Sequence, residues 1–166
     1  MCRKIKFLIM DVDGTLTDGK IYMGNDGEMM KAFDIKDGCG IHDILIPAGI
    51  RPVIITGRKS RILENRCSEL GITELHQGIR DKLSKLYEIL ERYTSIDGCV
   101  YDLSNTAYVG DDINDLSAMR AVKAKGGVVG CPADAVTEVM EIADFVADKI
   151  GGNGAVREVI EWLIRL

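Results

Sequence analysis

The sequence contains no long apolar run, because no stretch approaches the roughly 20 consecutive residues that a membrane-spanning helix needs. It also lacks a long basic run: 26 acidic residues outnumber 21 lysines and arginines, and the net charge is −5. This balance argues against nucleic acid as the main partner. The basic start, residues 1–4, is followed by an apolar segment too short for the core of a signal peptide. We therefore expect a cytoplasmic protein that binds neither membranes nor nucleic acid.

Cysteines are few and their spacing is wide. Five occur, at positions 2, 39, 67, 99 and 131, and no two form a C-x-x-C motif. The odd count and the spacing argue against a disulfide framework or a zinc site, and favour reduced thiols that serve as small apolar residues. Internal repeats, low-complexity tracts and linkers are absent too, so we predict one domain over residues 1–166.

Short apolar runs alternate with amphipathic segments along the whole chain, which predicts a parallel sheet with crossover helices. The predicted strands are 6–10, 51–55, 74–77, 107–109, 127–129 and 145–146. The predicted helices are 40–48, capped by Asp37, and 60–70, 81–93, 114–121, 134–141 and 155–166. The segment 95–106 has the weakest pattern, and we interpret it as a loop without function.

A β-hairpin is predicted over residues 20–33, because Asn25 and Asp26 between two glycines supply turn chemistry. Apolar side chains fall on both faces of this ribbon, whichever register it adopts. A two-stranded ribbon cannot bury both faces by itself, so we expect an interface between subunits there.

Three predicted strands end in polar residues: Asp11-Val12-Asp13, Thr56-Gly57 and Gly110-Asp111-Asp112. In open α/β sheets, ligands bind outside the carboxyl ends of the strands. We therefore expect these three segments to converge in one crevice.

The first of these segments can perform phosphoryl transfer. A carboxylate such as Asp11 can attack phosphorus, and Asp13 can protonate the leaving oxygen and then activate water. Gly14 would let the backbone approach the phosphate closely. Two solvated acids in a turn are the plainer alternative. A helix-loop-helix calcium site fails, because it needs Glu at the twelfth position, which is Tyr22 when counted from Asp11.

The other segments suit a metal and a phosphate. The acids of Gly110–Asp115 favour a hard cation such as Mg²⁺, although Asp112 or Asn114 can equally cap a helix. A cation is needed because two anions, the attacking carboxylate and the phosphate, must meet. Thr56 and Gly57 at a helix start can cradle a phosphate, and Lys82 can offer a charge to the phosphoryl oxygens. Taken singly, these last residues are more often ordinary surface residues.

The order D-x-D-G-T, T-G, Lys and G-D-D-x-N-D, from Asp11 to Asp115, resembles the four motifs of the haloacid dehalogenase (HAD) superfamily. The resemblance implies a Rossmann-like three-layer α/β/α fold. It implies Asp11 as nucleophile, Asp13 as acid and base, and Thr56 and Lys82 as phosphate ligands. It also implies Mg²⁺ held by Asp11, the Asp13 carbonyl and Asp111, with Asp115 behind them near Lys82. Dehalogenase members lack the second aspartate of the first motif, so Asp13 favours a phosphatase.

Most superfamily members carry a cap domain, but the intervals between the motifs leave no room for one here. The capless core with its hairpin flap resembles the 3-deoxy-D-manno-octulosonate 8-phosphate phosphatases. The segments that carry this resemblance are 18–24, 31–33, 37–38, 55–59, 66–67, 70–72 and 151–158. The segments 97–105 and 123–127 depart from it. The resemblance implies a homotetramer built on the hairpin and a glycine-rich tail, 151–154, that reaches a neighbour's site.

The substrate implied is a sugar-acid phosphate. Nonulosonate 9-phosphate phosphatases are similar, but they have Glu and Lys where this chain has Arg58 and Glu69, which favours the octulosonate acid. Arg58, Arg66 and Arg157 can bind its carboxylate in a forked geometry. They can also be plain surface arginines, and the tail a plain turn. A non-catalytic assembly domain, like that of some sialic-acid cytidylyltransferases, is the alternative from another class.

Overall fold

The computed structural model of the protein describes residues 5–166, so the basic start with Cys2 lies outside it. The strands are β1 (Phe7–Met10), β2 (Tyr22–Gly24), β3 (Gly27–Met30), β4 (Arg51–Thr56), β5 (Glu74–Gln77), β6 (Thr106–Val109), β7 (Val128–Cys131) and β8 (Phe145–Val146). The α-helices are α1 (Ile35–Cys39), α2 (Arg61–Leu70), α3 (Lys82–Asp97), α4 (Leu116–Ala124), α5 (Thr137–Met140) and α6 (Ala155–Arg165). A π-helix (Gly40–Leu45) continues α1, and a 3₁₀-helix (Leu103–Asn105) precedes β6.

The central sheet has six parallel strands in the order β5-β4-β1-β6-β7-β8. Strand β1 is buried on both faces: Leu8 and Met10 point to one core cluster, and Phe7 and Ile9 to the other. The π-helix, α2 and α6 cover the first cluster, and α3, α4 and α5 cover the second. This confirms the predicted α/β/α arrangement, because a strand between two helical layers reads as a continuous apolar run.

The helix after the hairpin starts earlier than predicted. Asp34 caps it, accepting from the backbone N–H groups of Lys36 and Asp37, so the prediction that Asp37 is the cap was wrong. The apolar pattern does not indicate the first turn, because Ile35 in that turn is 80% exposed and does not belong to the buried face of the helix. Asp37 is instead a buried residue inside α1.

The predicted loop over residues 95–106 is confirmed only for 98–102, because α3, the 3₁₀-helix and β6 take up the rest of the segment. Helix α3 continues to Asp97 and ends at Gly98, whose left-handed φ of 66° terminates it. Arg51 at the start of β4 donates to both carboxylate oxygens of Asp97, at 2.7 and 3.2 Å. Since α3 runs four residues past the predicted end, its last turn reaches the end of the sheet where β4 begins.

The hairpin is confirmed as a separate antiparallel pair, β2 with β3, with Gly24 opposite Gly27 at the turn. Its apolar side chains lie in solvent: Met23 is 60% exposed and Met29 is 68% exposed. Between β1 and β4 the chain holds only this hairpin and the α1 segment, and between β4 and α3 only α2 and β5. Residues 5–166 therefore contain no cap domain. No helix in the same range is long and apolar enough to cross a membrane.

Candidate active site

The three polar strand ends lie side by side, because β4, β1 and β6 are neighbours in the sheet. One crevice opens at their carboxyl ends, as predicted. Its lining consists of Asp11, Asp13, Gly19, Thr56, Gly57, Arg58, Asp111, Asp112 and Asn114. The structure thus brings together six residues that the sequence analysis singled out for the site, from three separate segments, and Arg58 is among them.

Three carboxylates meet at the base of this crevice. Asp11, Asp111 and Asp115 each offer an oxygen, and these oxygens lie within 4.8 Å of one another. Burial, reinforced by the charge of Asp115, raises the pKa of Asp11 to about 6. Burial likewise raises the pKa of Asp111 to about 7, and Asp11 and Asp115 add to the effect. A cation among them would relieve this repulsion, and an all-oxygen donor set fits Mg²⁺.

Asp115 is fully buried and both of its oxygens are occupied. Oδ1 accepts from Lys82 and from the hydroxyl of Tyr108, each at 2.8 Å. Oδ2 accepts from the backbone N–H groups of Asp111 at 3.2 Å and Asp112 at 3.5 Å. These bonds leave Asp115 suited to holding its neighbours in place, behind the residues that face the crevice.

Lys82 links the first and last motifs. It lies at the start of α3, is 1% exposed, and its ammonium is 2.9 Å from Asp11 Oδ1. Burial disfavours its charge, but Asp115 and Asp11 outweigh that effect and raise the pKa of Lys82 above its usual value. The ammonium therefore stays charged beside the Asp11 carboxylate.

Gly14 is required by the packing of the site. Its φ is +95°, and a Cβ at this position would lie 2.0 Å from Asp111 Oδ2. Thr15, the next residue, donates from Oγ1 to Asp111 Oδ1 at 2.8 Å. The loop after β1 therefore fixes the Asp111 carboxylate through the hydrogen bond from Thr15. Gly14 leaves space for that carboxylate because it has no side chain.

Asp13 has two basic neighbours at the rim of the crevice. Lys31, just after β3, forms a short ion pair with Asp13 Oδ1. Arg58 Nε lies 3.9 Å from Asp13 Oδ2. In the sequence, Lys31 is marked only by the family resemblance of residues 31–33, because no local pattern shows that the hairpin folds back over the loop after β1.

Tyr108 was also missed. It lies in β6, two residues before Gly110, and is fully buried among apolar residues. The one signal in the sequence is a hydroxyl-bearing ring between Ala107 and Val109, shortly before the acidic motif. A buried tyrosine hydroxyl usually has a partner, and here the partner is Asp115.

Arg66 and Arg157 lie outside the crevice of their own chain. Arg66, on α2, pairs with Glu69 at 2.8 Å, and Arg157, on α6, pairs with Glu161 at 2.6 Å. Their predicted contact with a substrate therefore stays a prediction, and for Arg157 it involves a neighbouring subunit.

Comparison with known proteins gives one consistent result. No protein-family model matches the chain. It is 45% identical over 160 residues to the Escherichia coli K12 3-deoxy-D-manno-octulosonate 8-phosphate phosphatase KdsC, covering 96% of this chain and 79% of that protein. The crystal structure of the Yersinia pestis phosphatase is 43% identical, with a TM-score of 0.84 over 98% of this chain and 81% of that one.

A second solved structure adds ligands to the comparison. The Moraxella catarrhalis phosphatase, in complex with a magnesium ion, a phosphate ion and a KDO molecule, is 39% identical, with a TM-score of 0.85. The match covers 98% of this chain and 87% of that one. With these identities over nearly the whole chain, and with the four motifs assembled at one crevice, the chain belongs to the KdsC family of phosphatases in the HAD superfamily.

Proposed function

We propose that this protein hydrolyses 3-deoxy-D-manno-octulosonate 8-phosphate through an aspartyl-phosphate on Asp11, with Mg²⁺ as cofactor. The observation that carries the proposal is the meeting of Asp11, Asp13 and Asp111 at one crevice, with Lys82 buried beside Asp11, in a chain 45% identical to an enzyme of that name. The comparisons favour this substrate over the nonulosonate phosphates. The presence of every residue that the mechanism needs disfavours a non-catalytic assembly domain.

In the first half of the reaction, a carboxylate oxygen of Asp11 bonds to phosphorus while the bond from phosphorus to the sugar oxygen breaks. Asp13 gives its proton to that leaving oxygen. Lys82, held 2.9 Å from Asp11, stabilises the negative charge on the phosphoryl oxygens and orients the nucleophile. Thr56, the last residue of β4, and Gly57 after it line the crevice with Asp11 and would bind the same oxygens.

In the second half, Asp13 takes a proton from water as the water oxygen bonds to phosphorus and the bond to Asp11 breaks. Phosphate leaves and the Asp11 carboxylate is restored. Mg²⁺, when bound, would offset the repulsion between the Asp11 carboxylate and the incoming phosphate. Its ligands would be Asp11, the Asp13 carbonyl and Asp111, with Asp115 holding Lys82 and the Asp111 backbone behind them.

The carboxylate of the substrate needs a cationic partner, and Arg58 lines the crevice. We assign it to the sugar carboxylate, because a guanidinium binds a carboxylate through two parallel hydrogen bonds. Arg66 is a further candidate for this carboxylate, and so is Arg157 of a neighbouring subunit. A tetramer with the hairpins at its centre would bring subunits together and cover the exposed side chains of Met23 and Met29. We further infer one domain over residues 1–166 and a cytoplasmic location.

A phosphate-release assay with Mg²⁺ tests the proposal. The panel contains octulosonate 8-phosphate, a nonulosonate 9-phosphate and p-nitrophenyl phosphate. We expect the highest kcat/KM for the octulosonate ester, and no release in excess EDTA. A higher kcat/KM for the nonulosonate ester would overturn the substrate, and full activity in EDTA would overturn the role of the metal. Light scattering at micromolar concentration tests the tetramer separately, and a monomeric mass would contradict it.

A further inference from the structure

Lys31 has a buried side chain and no role in the proposed mechanism. Its side chain is 3% exposed, and its ammonium lies between two carboxylates. It pairs with Asp13 Oδ1 on one side and with Glu28 Oε1, at 3.1 Å, on the other. Lys31 follows β3 directly, so the hairpin carries this charge to the edge of the crevice.

Glu28, the second partner of Lys31, is itself anchored. Its Oε2 accepts a short hydrogen bond from the hydroxyl of Ser60, which also caps α2 by accepting from Leu63 N–H at 3.3 Å. Burial alone would raise the pKa of Glu28, but the hydrogen bonds from Ser60 and Lys31 outweigh it and lower that pKa below its usual range. Glu28 is therefore a fixed anion, and it fixes Lys31 in turn.

We propose that Lys31 is a positioning residue for the general acid, which it holds by one carboxylate oxygen while Glu28 and Ser60 hold Lys31. This inference rests on the proposed role of Asp13. With Oδ1 bound to Lys31, the Asp13 side chain cannot rotate freely, and Oδ2 is left on the side of Arg58, which lines the crevice. Oδ2 is then the oxygen that reaches the leaving group.

A purely structural tether between hairpin and core is the plainer explanation of the same contacts. Burying an ion pair costs desolvation free energy that its Coulomb attraction often fails to recover, so stability alone is a weak reason for Lys31. The two explanations also differ in a measurable way. A positioning role affects the step that needs a proton from Asp13, whereas a tether affects folding and every substrate alike.

The test measures the rate of the first turnover by rapid quench, at saturating concentrations of each of two esters, in wild type, Lys31→Met, Lys31→Arg and Glu28→Gln. Saturation removes differences in substrate binding through Arg58, whose Nη2 also lies 3.9 Å from Glu28 Oε1. One ester is the sugar-acid phosphate that wild type turns over fastest, whose leaving alkoxide needs a proton. The other is p-nitrophenyl phosphate, whose leaving group does not. Restricting the measurement to the first turnover excludes the later step, in which Asp13 acts on water for both esters. Lys20→Met, at an exposed position before β2, is the matched control.

We expect Lys31→Met to slow the sugar ester by about 100-fold, the scale of a misplaced catalytic group, and the aryl ester by less than about 3-fold. Lys31→Arg keeps a donor and a charge and should recover most of the loss. Glu28→Gln should repeat the pattern of Lys31→Met with a smaller factor, slowing the sugar ester more than the aryl ester. Lys20→Met should change neither rate. Equal losses on both esters in Lys31→Met and Glu28→Gln would overturn the proposal, as would unchanged rates.

Failure of the proposed function would look different. If wild type prefers a sugar phosphate other than the octulosonate ester, the substrate assignment fails, and the ratio between alkyl and aryl esters still tests Lys31. If Lys31→Met does not fold, Lys31→Arg and Glu28→Gln carry the comparison. Equal losses on both esters in these two variants would overturn the positioning role even where phosphatase activity itself is confirmed.

Discussion

The backbone N–H of Arg157 donates a 2.8 Å hydrogen bond to the Asp37 carboxylate, which lies 120 residues earlier in the chain. Helix α6 begins after Gly154, which has no side chain to cap it, so Asp37 from α1 supplies the missing acceptor. The backbone N–H groups of Gly154 and Val156 interact with the same carboxylate. The segment after the hairpin and the glycine-rich tail are therefore joined at one buried acid.

Asp37 should make stability depend on pH between about 4 and 6. It is 1% exposed and its Oδ2 has no partner. Burial, with Asp34 adding, raises the pKa of Asp37 from 3.8 to about 6. The folded chain then holds this proton more tightly than the unfolded chain, so the contribution of Asp37 to the free energy of unfolding falls as pH rises through this window. The full difference corresponds to roughly 3 kcal/mol.

The variant Asp37→Asn keeps an oxygen acceptor for Arg157 N–H but cannot ionise. We expect the variant to gain stability relative to wild type as pH rises from 4 to 6, and to keep that gain at pH 7. Urea unfolding of both proteins in EDTA at each pH measures it, and the other acids cancel in the difference. If the difference between the two proteins is the same at pH 4 and pH 7, Asp37 does not titrate in this window.

The variant Asp11→Asn tests the nucleophile. The amide has nearly the shape of the carboxylate but cannot attack phosphorus, so hydrolysis should fall by roughly 10⁴-fold or more. Mg²⁺-dependent phosphate release measures the loss, and circular dichroism checks that the variant folds. Activity within about 10-fold of wild type would mean that another group forms the covalent bond.

Magnesium should stabilise the folded protein through Asp111. At a concentration about 100 times its Kd, a ligand that binds the folded chain alone adds about 2.7 kcal/mol, which corresponds to roughly 5–10 °C in Tm for a chain of this size. Excess EDTA should reverse the shift. Asp111→Asn should abolish it, whereas Asp112→Asn, the exposed neighbour, should retain most of it. Thermal melts with and without Mg²⁺ measure the shift in Tm for each protein. An undiminished shift in Asp111→Asn would show that Asp111 is not a metal ligand.

Tyr108→Phe tests the support behind the carboxylates. The substitution removes the donor to Asp115 Oδ1 and leaves a fully buried anion with one bond fewer. We expect a loss of about 1–3 kcal/mol in the free energy of unfolding, together with lower kcat, because Asp115 also holds Lys82. Tyr87→Phe, at a 49% exposed ring on α3, is the matched control. Equal stability of the two variants would show that the Tyr108 hydroxyl is dispensable.

The site was predictable where its residues follow strongly apolar strands. The acids after β1 and β6 and the threonine that ends β4 are marked by the strands themselves, so their convergence follows from the order of the sheet. Lys31 and Asp37 could not be found in this way. Their partners are 18 and 120 residues distant, and each contact depends on how the hairpin or the tail folds back on the core. Asp34 and Asp37 are equally good caps in sequence, and only packing assigns one to α1 and the other to α6.

Arg157→Ala tests whether the tail serves the site. Its guanidinium pairs with Glu161, and its backbone N–H is held by Asp37, so the side chain can be removed without loss of the bond that caps α6. If the arginine meets the substrate carboxylate of a neighbouring subunit, KM for the sugar-acid phosphate should rise about 10-fold or more, in line with the loss of a charge-assisted hydrogen bond. Turnover of p-nitrophenyl phosphate should hardly change, because this ester has no carboxylate. Glu161→Gln removes the carboxylate that pairs with Arg157 and leaves the guanidinium charged, so it should leave KM unchanged or lower it. Equal effects of Arg157→Ala on both esters, or on neither, would mean that the tail is structural.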